Sequence, residues 1–377
     1  MDQAIKKNIN SYYILVVIWF GLTLSTGALK FFIFNLFPNV FVGGMGFFLI
    51  LLLHKEITIN KKHLFLIFGI FVFFILYYVS FFYNYSDTNL SYILKILSLF
   101  INSVSAVFLS TYIIRFERNY LFYVFSSIGF VFSCMYILGF IKPSGAGELS
   151  YLNLALPVGI GIISSFILLI NEKSRYLKLL CASLFLISLF AIIHLSARMV
   201  LISVLFFTLF FLFRYISFIK SLMIVLFSST VSFVFFSKYF SNSEFLIFKF
   251  TRLFENYKDE PRYQVYINSI EYIVNNIGGY GLQSYYKLIG YYPHNLFIEV
   301  LMTSGLYCLI ILFIFMIITF YYIFKDKSDI NDKKFFSVVF VYFLIQWSFS
   351  YDFSSSYTVL IPMFTVISIN YLRVDNE

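Results

Sequence analysis

Residues 291–324 read YYPHNLFIEVLMTSGLYCLIILFIFMIITFYYIF. From Asn295 onward the stretch is almost wholly apolar, and it exceeds the roughly 20 residues that a helix needs to cross a bilayer. It therefore predicts a membrane-spanning helix. The same stretch opens with Pro293 and His294 and carries Glu299 inside the apolar run. An ionised carboxylate in lipid is disfavoured by about 3 kcal/mol or more unless it is paired or hydrated, so these polar residues need an explanation.

The composition extends the membrane interpretation to the whole chain. Of its 377 residues, 61% are hydrophobic and 12% are charged, and the mean hydropathy is +0.88. This composition excludes an ordinary soluble domain. The apolar runs are long and unbroken, which favours helices over membrane strands. We therefore predict an all-α, polytopic membrane bundle that forms a single domain over residues 1–377.

The arrangement of apolar runs and basic residues predicts a topology. Seventeen of the 27 basic residues fall in the loops of one side, four fall on the other side, and six lie in one long connection. Because cytoplasmic loops carry the excess of Lys and Arg, both termini are predicted to be cytoplasmic. A window of about 20 residues predicts twelve spans, at 12–28, 31–53, 64–83, 91–113, 120–141, 151–170, 178–195, 199–213, 219–237, 295–324, 335–350 and 356–371.

The long connection, residues 238–292, is predicted to be an extracytoplasmic loop between the ninth and tenth spans. Its segments EFLIFKFTRLFENY (244–257) and RYQVYINSIEYIVNN (262–276) place apolar residues at helical spacing, which predicts two amphipathic helices lying on the bundle. The sequence IGGYGL (277–282) follows. We interpret it as a turn and not as a nucleotide cradle, because no strand precedes its glycines.

The stretch HLSARM (194–199) places Arg198 in a short turn. The residues between Lys178 and Arg214, both assigned to the cytoplasmic side, must cross the membrane twice, so the turn cannot project far. An arginine at this depth is a candidate for binding an anion in a hydrated cavity. The alternative is an arginine at a span end that extends its charged group to the headgroups.

The outer end of the tenth span is the second candidate region. On a helix, Asn295 and Glu299 would share a face, and His294 and Gly305 would lie within about 20° of each other. This predicts a polar patch with a small residue below it, where another helix could pack closely. The alternative for His294 is an ordinary position in the headgroup zone.

Two arginines of the long loop are further candidates. Arg252 and Arg262 are either solvated charges or return to the cavity mouth beside Arg198. In the second case they would complete an anion site, because the planar guanidinium binds two phosphate oxygens at once. No acidic pair at a metal-binding spacing occurs on that side and no Walker loop occurs anywhere. We expect no metal, no other cofactor and no nucleic acid.

Two segments resemble a known family. The loop reads T-R-L-F-E-N-Y…P-R-Y-Q-V-Y-I-N-S-I…I-G-G-Y-G-L, and the next span reads P-H-N-L-F-I-E-V-L-M-T-S-G-L-Y. Together with L-S-A-R at 195–198, this order resembles the O-antigen ligase and O-antigen polymerase (Wzy/WaaL) superfamily. The resemblance covers about residues 195–310. The first half of the chain is similar to the family only in being apolar and polytopic.

The resemblance implies a glycosyltransferase C-like membrane enzyme. Its reaction would be a metal-independent, inverting glycosyl transfer from an undecaprenyl-pyrophosphate-linked oligosaccharide, on the outer face of the bacterial cytoplasmic membrane. By the same resemblance Arg198 and Arg262, with Arg252 beside them, would bind the pyrophosphate. His294 would activate or position the acceptor hydroxyl, with Glu299 as an alternative base.

The resemblance also bears on sugar binding and on partners. Tyr291 and Tyr292, with Asn295, would position sugar rings, although both tyrosines are equally explained as interfacial aromatic residues. The implied partners are the lipid-linked oligosaccharide, membrane lipid and a chain-length regulator protein.

Three functions remain open from the sequence. A polymerase would join lipid-linked repeat units of O-antigen or capsule, and a ligase would pass the finished glycan to the lipid A core. A flippase or transporter would carry out no chemistry, and would more naturally keep its charged residues near the bilayer midplane. The charged residues instead lie at the outer end and in the long loop, which favours an enzyme, and the short chain favours the polymerase.

Overall fold

The described part of the chain is 85% helical and contains no strands. The structure is a computed structural model, and it describes residues 2–32, 37–83, 89–113, 119–143, 151–216, 219–220, 261–326, 332–349, 353 and 357–373. Fourteen α-helices occur within these ranges. They are α1 Asp2–Leu24, α2 Thr26–Leu29, α3 Phe37–Leu52, α4 Lys61–Val79, α5 Leu90–Ile113, α6 Tyr120–Ile137, α7 Tyr151–Asn171, α8 Arg175–Leu195, α9 Arg198–Tyr215, α10 Pro261–Asn275, α11 Ser284–Ile289, α12 Leu296–Lys325, α13 Asp332–Trp347 and α14 Tyr357–Arg373.

Seven of these helices, α4 to α9 and α12, are long and apolar enough to cross a membrane. Shorter apolar helices cover Ser11–Leu24, Pro38–Leu52 and Thr358–Leu372. The prediction of an all-helical chain is confirmed, and the apolar helices are those of a polytopic membrane protein. The predicted ninth span, 219–237, lies almost wholly outside the described residues, as does the first predicted loop helix.

Helix α7 packs against α6, α8 and α9. Small residues allow α6 and α7 to approach closely: a Cβ added to Gly129 would lie 2.7 Å from the Cα of Gly161. The hydroxyls of Ser126 and Ser165 hydrogen-bond across the same contact at 2.6 Å. Close backbone approach and buried hydroxyl pairs stabilise helix contacts where lipid is as apolar as the side chains.

Helix α12 is broken at Gly305, which has φ 76° and ψ −174°. The glycine turn at 277–281 lies against this break. The amides of Tyr280 and Gly281 donate to the carbonyls of Met302 (2.7 Å) and Thr303 (2.9 Å), and the amide of Leu306 donates to Ile277 (3.0 Å). The turn thus supplies the hydrogen bonds that the helix loses, which is the condition for irregular backbone at membrane depth.

Two details of the outer end of α12 differ from the sequence-based prediction. The helix begins at Leu296, so His294 precedes it and does not share a helical face with Gly305. The neighbour of Gly305 is the backbone of Gly278 and not another helix. Helical-wheel spacing failed here because it assumes a regular helix through residues where the chain has left-handed or extended backbone.

A buried carboxylate joins three helices at the end of the bundle where α13 begins. Asp332 is 1% exposed, accepts a hydrogen bond from the amide of Leu121 (2.9 Å) and accepts another from the hydroxyl of Tyr13. These contacts link α13 to α6 and α1. Burial raises the pKa of Asp332 from its ordinary value of 3.8 to about 7, although both hydrogen bonds oppose the shift.

This buried acid predicts a pH dependence of stability. A carboxyl whose folded pKa is raised to about 7 keeps its proton in the fold after the unfolded chain has lost it. The stability it contributes is therefore present below the unfolded pKa and is lost as the pH rises towards 7, by about 1.4 kcal/mol per pH unit. We expect Asp332→Asn to remove this component, so that wild type loses stability relative to the variant between pH 5 and pH 7. Thermal unfolding of both proteins in detergent across this pH range measures the difference in stability. Parallel profiles of stability against pH for wild type and Asp332→Asn would contradict the prediction.

Candidate active site

His294 adopts a backbone conformation that is uncommon for a residue with a side chain. Its φ is 55°, in the left-handed region, and it lies between Pro293, which is buried, and Asn295. The Tyr292 ring lies against the imidazole with the ring centroids 3.9 Å apart. Residues in this region cost about 1 kcal/mol or more, and such conformations concentrate at functional sites. The turn thus holds His294 just outside the helix end and packs its ring against tyrosine.

Asn295 starts α12 as its N-cap. Its Oδ1 accepts hydrogen bonds from the amides of Phe297 (2.9 Å) and Ile298 (3.1 Å), two of the groups that have no partner within the helix. Its Nδ2 donates to the carbonyl of Ser348 at 2.8 Å. Asn295 therefore fixes both the start of α12 and its position against the segment that follows α13. The prediction that Asn295 and Glu299 share a helical face is wrong, because Asn295 is the N-cap and has extended backbone.

Arg262 and Tyr266 lie on one face of α10, four residues apart. The Nη1 of Arg262 donates to the carbonyl of Phe349 at 2.7 Å, and the hydroxyl of Tyr266 makes a long contact of 3.5 Å to the carbonyl of His294. Burial raises the pKa of Tyr266, and the nearby positive charge of Arg262 opposes that shift. Helix α10 therefore contacts the His294 turn through Tyr266 and the end of α13 through Arg262.

Arg198 is the first residue of α9 and is half-buried. The turn before it is tight, because Ser196 has a left-handed φ of 53° and only Ala197 separates Ser196 from the new helix. The neighbouring residue Met199 accepts a hydrogen bond from the Nε2 of Gln346 at 3.2 Å, and Gln346 also donates to the hydroxyl of Ser203 at 2.7 Å. The start of α9 is thereby tied to the last turn of α13.

One short segment joins these contacts. Residues 346–349, at the C-terminal end of α13, contact α9 through Gln346, the cap of α12 through Ser348 and α10 through Phe349. Arg262 and Asn295 bind this segment directly, His294 precedes Asn295, and Arg198 lies one residue from Met199. The structure therefore brings the predicted residues Arg262, His294 and Asn295 together and places the Arg198 turn against the same segment.

Glu299 occupies a separate, enclosed environment one turn inside α12. It is fully buried, and its carboxylate accepts hydrogen bonds from the hydroxyls of Tyr92 (3.3 Å) and Tyr285 (3.1 Å) and from the amide of Phe353 (2.7 Å). The hydroxyl of Tyr77 lies 2.9 Å from that of Tyr92. These hydrogen bonds offset the cost of burying the carboxyl group, because each of its oxygens has a donor. They also tie α5 and α11 to α12.

The remaining predicted residues lie around this region or outside the described chain. Tyr291 is 65% exposed, and Tyr292 is half-buried against His294. Arg252 lies outside the described residues. Within the described ranges, no group of three or more His, Cys, Asp or Glu side chains could hold a metal ion.

Sequence reasoning missed several residues that organise the site. Gln346 carried a usable signal, because a lone amide inside the apolar run VVFVYFLIQW is costly unless it has a partner. Tyr266 is four residues from Arg262, the helical spacing that predicts a shared face. Tyr92 and Phe353 carried no such signal, because their contacts with Glu299 join segments that are distant in the chain.

Comparison with known proteins adds nothing to this description. No model of a protein family matches the chain, and no curated protein matches it. The site must therefore be interpreted from its own residues.

Proposed function

We propose that this chain is a polysaccharide polymerase of the bacterial cytoplasmic membrane. It would join lipid-linked repeat units of O-antigen or capsule on the extracytoplasmic face, with twelve spans and cytoplasmic termini. The observation that supports this proposal is that Arg262 and Asn295 both hydrogen-bond to residues 346–349, with His294 next to Asn295 and the Arg198 turn against the same segment. An imidazole at a helix end, with two arginines held against the neighbouring end of α13, would suit a reaction in which a lipid pyrophosphate leaves.

The proposed reaction is a single inverting displacement. The hydroxyl oxygen of the acceptor sugar forms a bond to C1 of the donor sugar, and the bond from C1 to the pyrophosphate oxygen breaks with its electron pair. His294 takes the proton from the attacking hydroxyl. Arg262 and Arg198 would hold the negative charge that develops on the undecaprenyl pyrophosphate, because fixed cations stabilise charge where it appears in the transition state.

The surroundings of the two candidate bases favour His294 over Glu299. His294 is half-buried and lies in the turn that Tyr266 of α10 contacts. Glu299 has no exposed surface and accepts hydrogen bonds at both oxygens. We therefore assign Glu299 the role of positioning α11 and α12, and assign proton transfer to His294.

Replacing Glu299 with glutamine separates these two roles. A glutamine can accept from the amide of Phe353 through its oxygen and donate to a tyrosine oxygen through its nitrogen, so the fold should survive. We expect Glu299→Gln to retain chain growth within about tenfold of wild type, whereas loss of a general base costs roughly 10²–10⁴-fold. Glu299→Ala should instead lower the unfolding temperature, because it leaves the Phe353 amide and the Tyr285 hydroxyl without their acceptor at about 1–3 kcal/mol each.

The readout for these variants is glycan chain length in cells, together with the amount of protein extracted in monodisperse form. A folded Glu299→Gln protein that makes no polymer would contradict the positioning role and identify Glu299 as the base.

The function itself is tested by deleting the gene and separating the surface glycans on a gel. Loss of the polymerase should leave single repeat units on the lipid A core, and complementation with Arg198→Ala should not restore the ladder. If the deletion strain instead carried no glycan on its lipid A core and kept long glycan chains on the undecaprenyl carrier, the protein would be a ligase. Accumulation of unpolymerised units on the cytoplasmic side would identify a flippase.

A further inference from the structure

A cavity lies between the C-terminal ends of α6 and α8. It has a volume of about 440 Å³ and is bounded by the end of α6, the turn that follows it and the last turn of α8. Gly139, with φ 77°, ends α6, and the amides of Gly139 and Phe140 donate to the carbonyls of Tyr136 (3.0 Å) and Met135 (2.9 Å). This is the glycine-ended helix stop that turns the chain back over the helix end. It forms one wall of the cavity.

The polar groups of the cavity include hydrogen-bond donors and a cation. Tyr136 and His194 hydrogen-bond to each other, with 2.8 Å between the phenol oxygen and Nδ1. If the phenol donates, the neutral imidazole keeps a proton on Nε2; if the imidazole donates, the phenol keeps its own. Either way the pair retains one donor hydrogen for a ligand. Lys142 adds an ammonium group, and among the described residues that line the cavity there is no carboxylate.

The rim of the cavity is apolar and open. Ile137 and Phe190 line the cavity, and each side chain is 44% exposed. Both lie near the C-terminal ends of α6 and α8, which are apolar enough to cross a membrane, and they share the cavity with Tyr136, His194 and Lys142. Exposed apolar side chains at this level suit contact with acyl chains, while an ammonium and neutral donors suit a phosphate.

We propose that this cavity is an interfacial binding site for the headgroup of an anionic phospholipid. The phosphate would bind between Lys142 and the pair formed by Tyr136 and His194, and the acyl chains would lie along Ile137 and Phe190. A zwitterionic lipid would bind more weakly, since its own cation competes for the phosphate beside Lys142. The site stands on residues that the proposed glycosyl transfer does not use, so either proposal can fail without the other.

Lipid retention by the purified full-length protein tests the proposal. The protein is exchanged into detergent with phosphatidylglycerol or phosphatidylcholine, and bound lipids are counted by native mass spectrometry. We expect at least tenfold preference for phosphatidylglycerol. Lys142→Gln should reduce that preference about tenfold or more, because it removes a charge-assisted hydrogen bond. Tyr136→Phe should reduce it by a smaller factor while keeping the ring.

Lys173→Gln is the matched control, because it removes an exposed lysine from the connection between α7 and α8, far along both helices from the cavity. It should leave the preference unchanged. Equal retention of both lipids would overturn the proposal, as would an equal loss in Lys173→Gln and Lys142→Gln. Displacement of the lipid by soluble glycerol phosphate at equal concentration would show that the site takes a free phosphate. Stronger retention of a polyprenyl phosphate would show that the ligand is a glycan carrier and not a phospholipid.

Discussion

His294→Asn is expected to abolish glycan chain growth while leaving the protein folded in the membrane. Asparagine is among the residues that tolerate the left-handed region best, so it can keep the φ of 55° that the turn before α12 requires. It cannot act as a base at neutral pH. The expected loss is roughly 10²–10⁴-fold, the usual contribution of a positioned general base. The measurement is polymer length and rate with a lipid-linked repeat unit and purified enzyme.

Two companion variants separate chemistry from conformation. His294→Ala removes the imidazole and also disfavours the left-handed backbone, so it should be at least as inactive and somewhat less stable. His54→Asn changes an exposed histidine in the connection between α3 and α4 and should retain full activity. Normal chain length from His294→Asn would remove His294 from the proposed mechanism. Activity in His294→Asn but not in His294→Ala would mean that only the backbone conformation matters.

Gly279→Ala is expected to prevent stable folding of the region around the site. A Cβ at this position would lie 2.6 Å from the carbonyl oxygen of Thr303 and 2.7 Å from the amide nitrogen of Gly305, and both are backbone atoms that cannot rotate away. The φ of 88° adds strain for any residue except glycine. The turn must therefore leave α12 and give up the amide-to-carbonyl bonds of Tyr280 and Gly281. Two buried bonds at about 1–3 kcal/mol each approach the whole stability of a typical domain.

Glycines elsewhere in the chain provide graded controls for this substitution. Gly290 has a similar φ of 79° but nothing within 4 Å of an added Cβ, so Gly290→Ala should show the cost of backbone strain alone. Gly44 lies inside α3 with open space around it, and Gly44→Ala should be neutral or slightly stabilising. The readouts are the yield of monodisperse protein and its thermal unfolding midpoint. If Gly279→Ala were as stable as Gly290→Ala, the turn would not be packed against α12 as described.

The fold class and many of the helices could be predicted from local sequence. Apolar runs of about 20 residues have few alternatives in lipid, because a helix satisfies every backbone group within its own segment. The turn at Gly278 to Gly281 could also be predicted from its glycines. The exact start of α12 was not, because the N-cap at Asn295 and the left-handed His294 interrupt a pattern that a helical wheel treats as continuous.

The candidate residues were proposed from the sequence: His294, Glu299 and Arg198 are polar groups at or within the membrane, and Arg262 is an arginine of the long loop. Their separation into two environments was not. Glu299 is enclosed by tyrosines from α5 and α11, whereas His294 stands at a turn that α10 and the end of α13 approach. Periodicity describes which residues share a face of one helix. Only the packed structure decides which helices meet, because those hydrogen bonds join segments far apart in the chain.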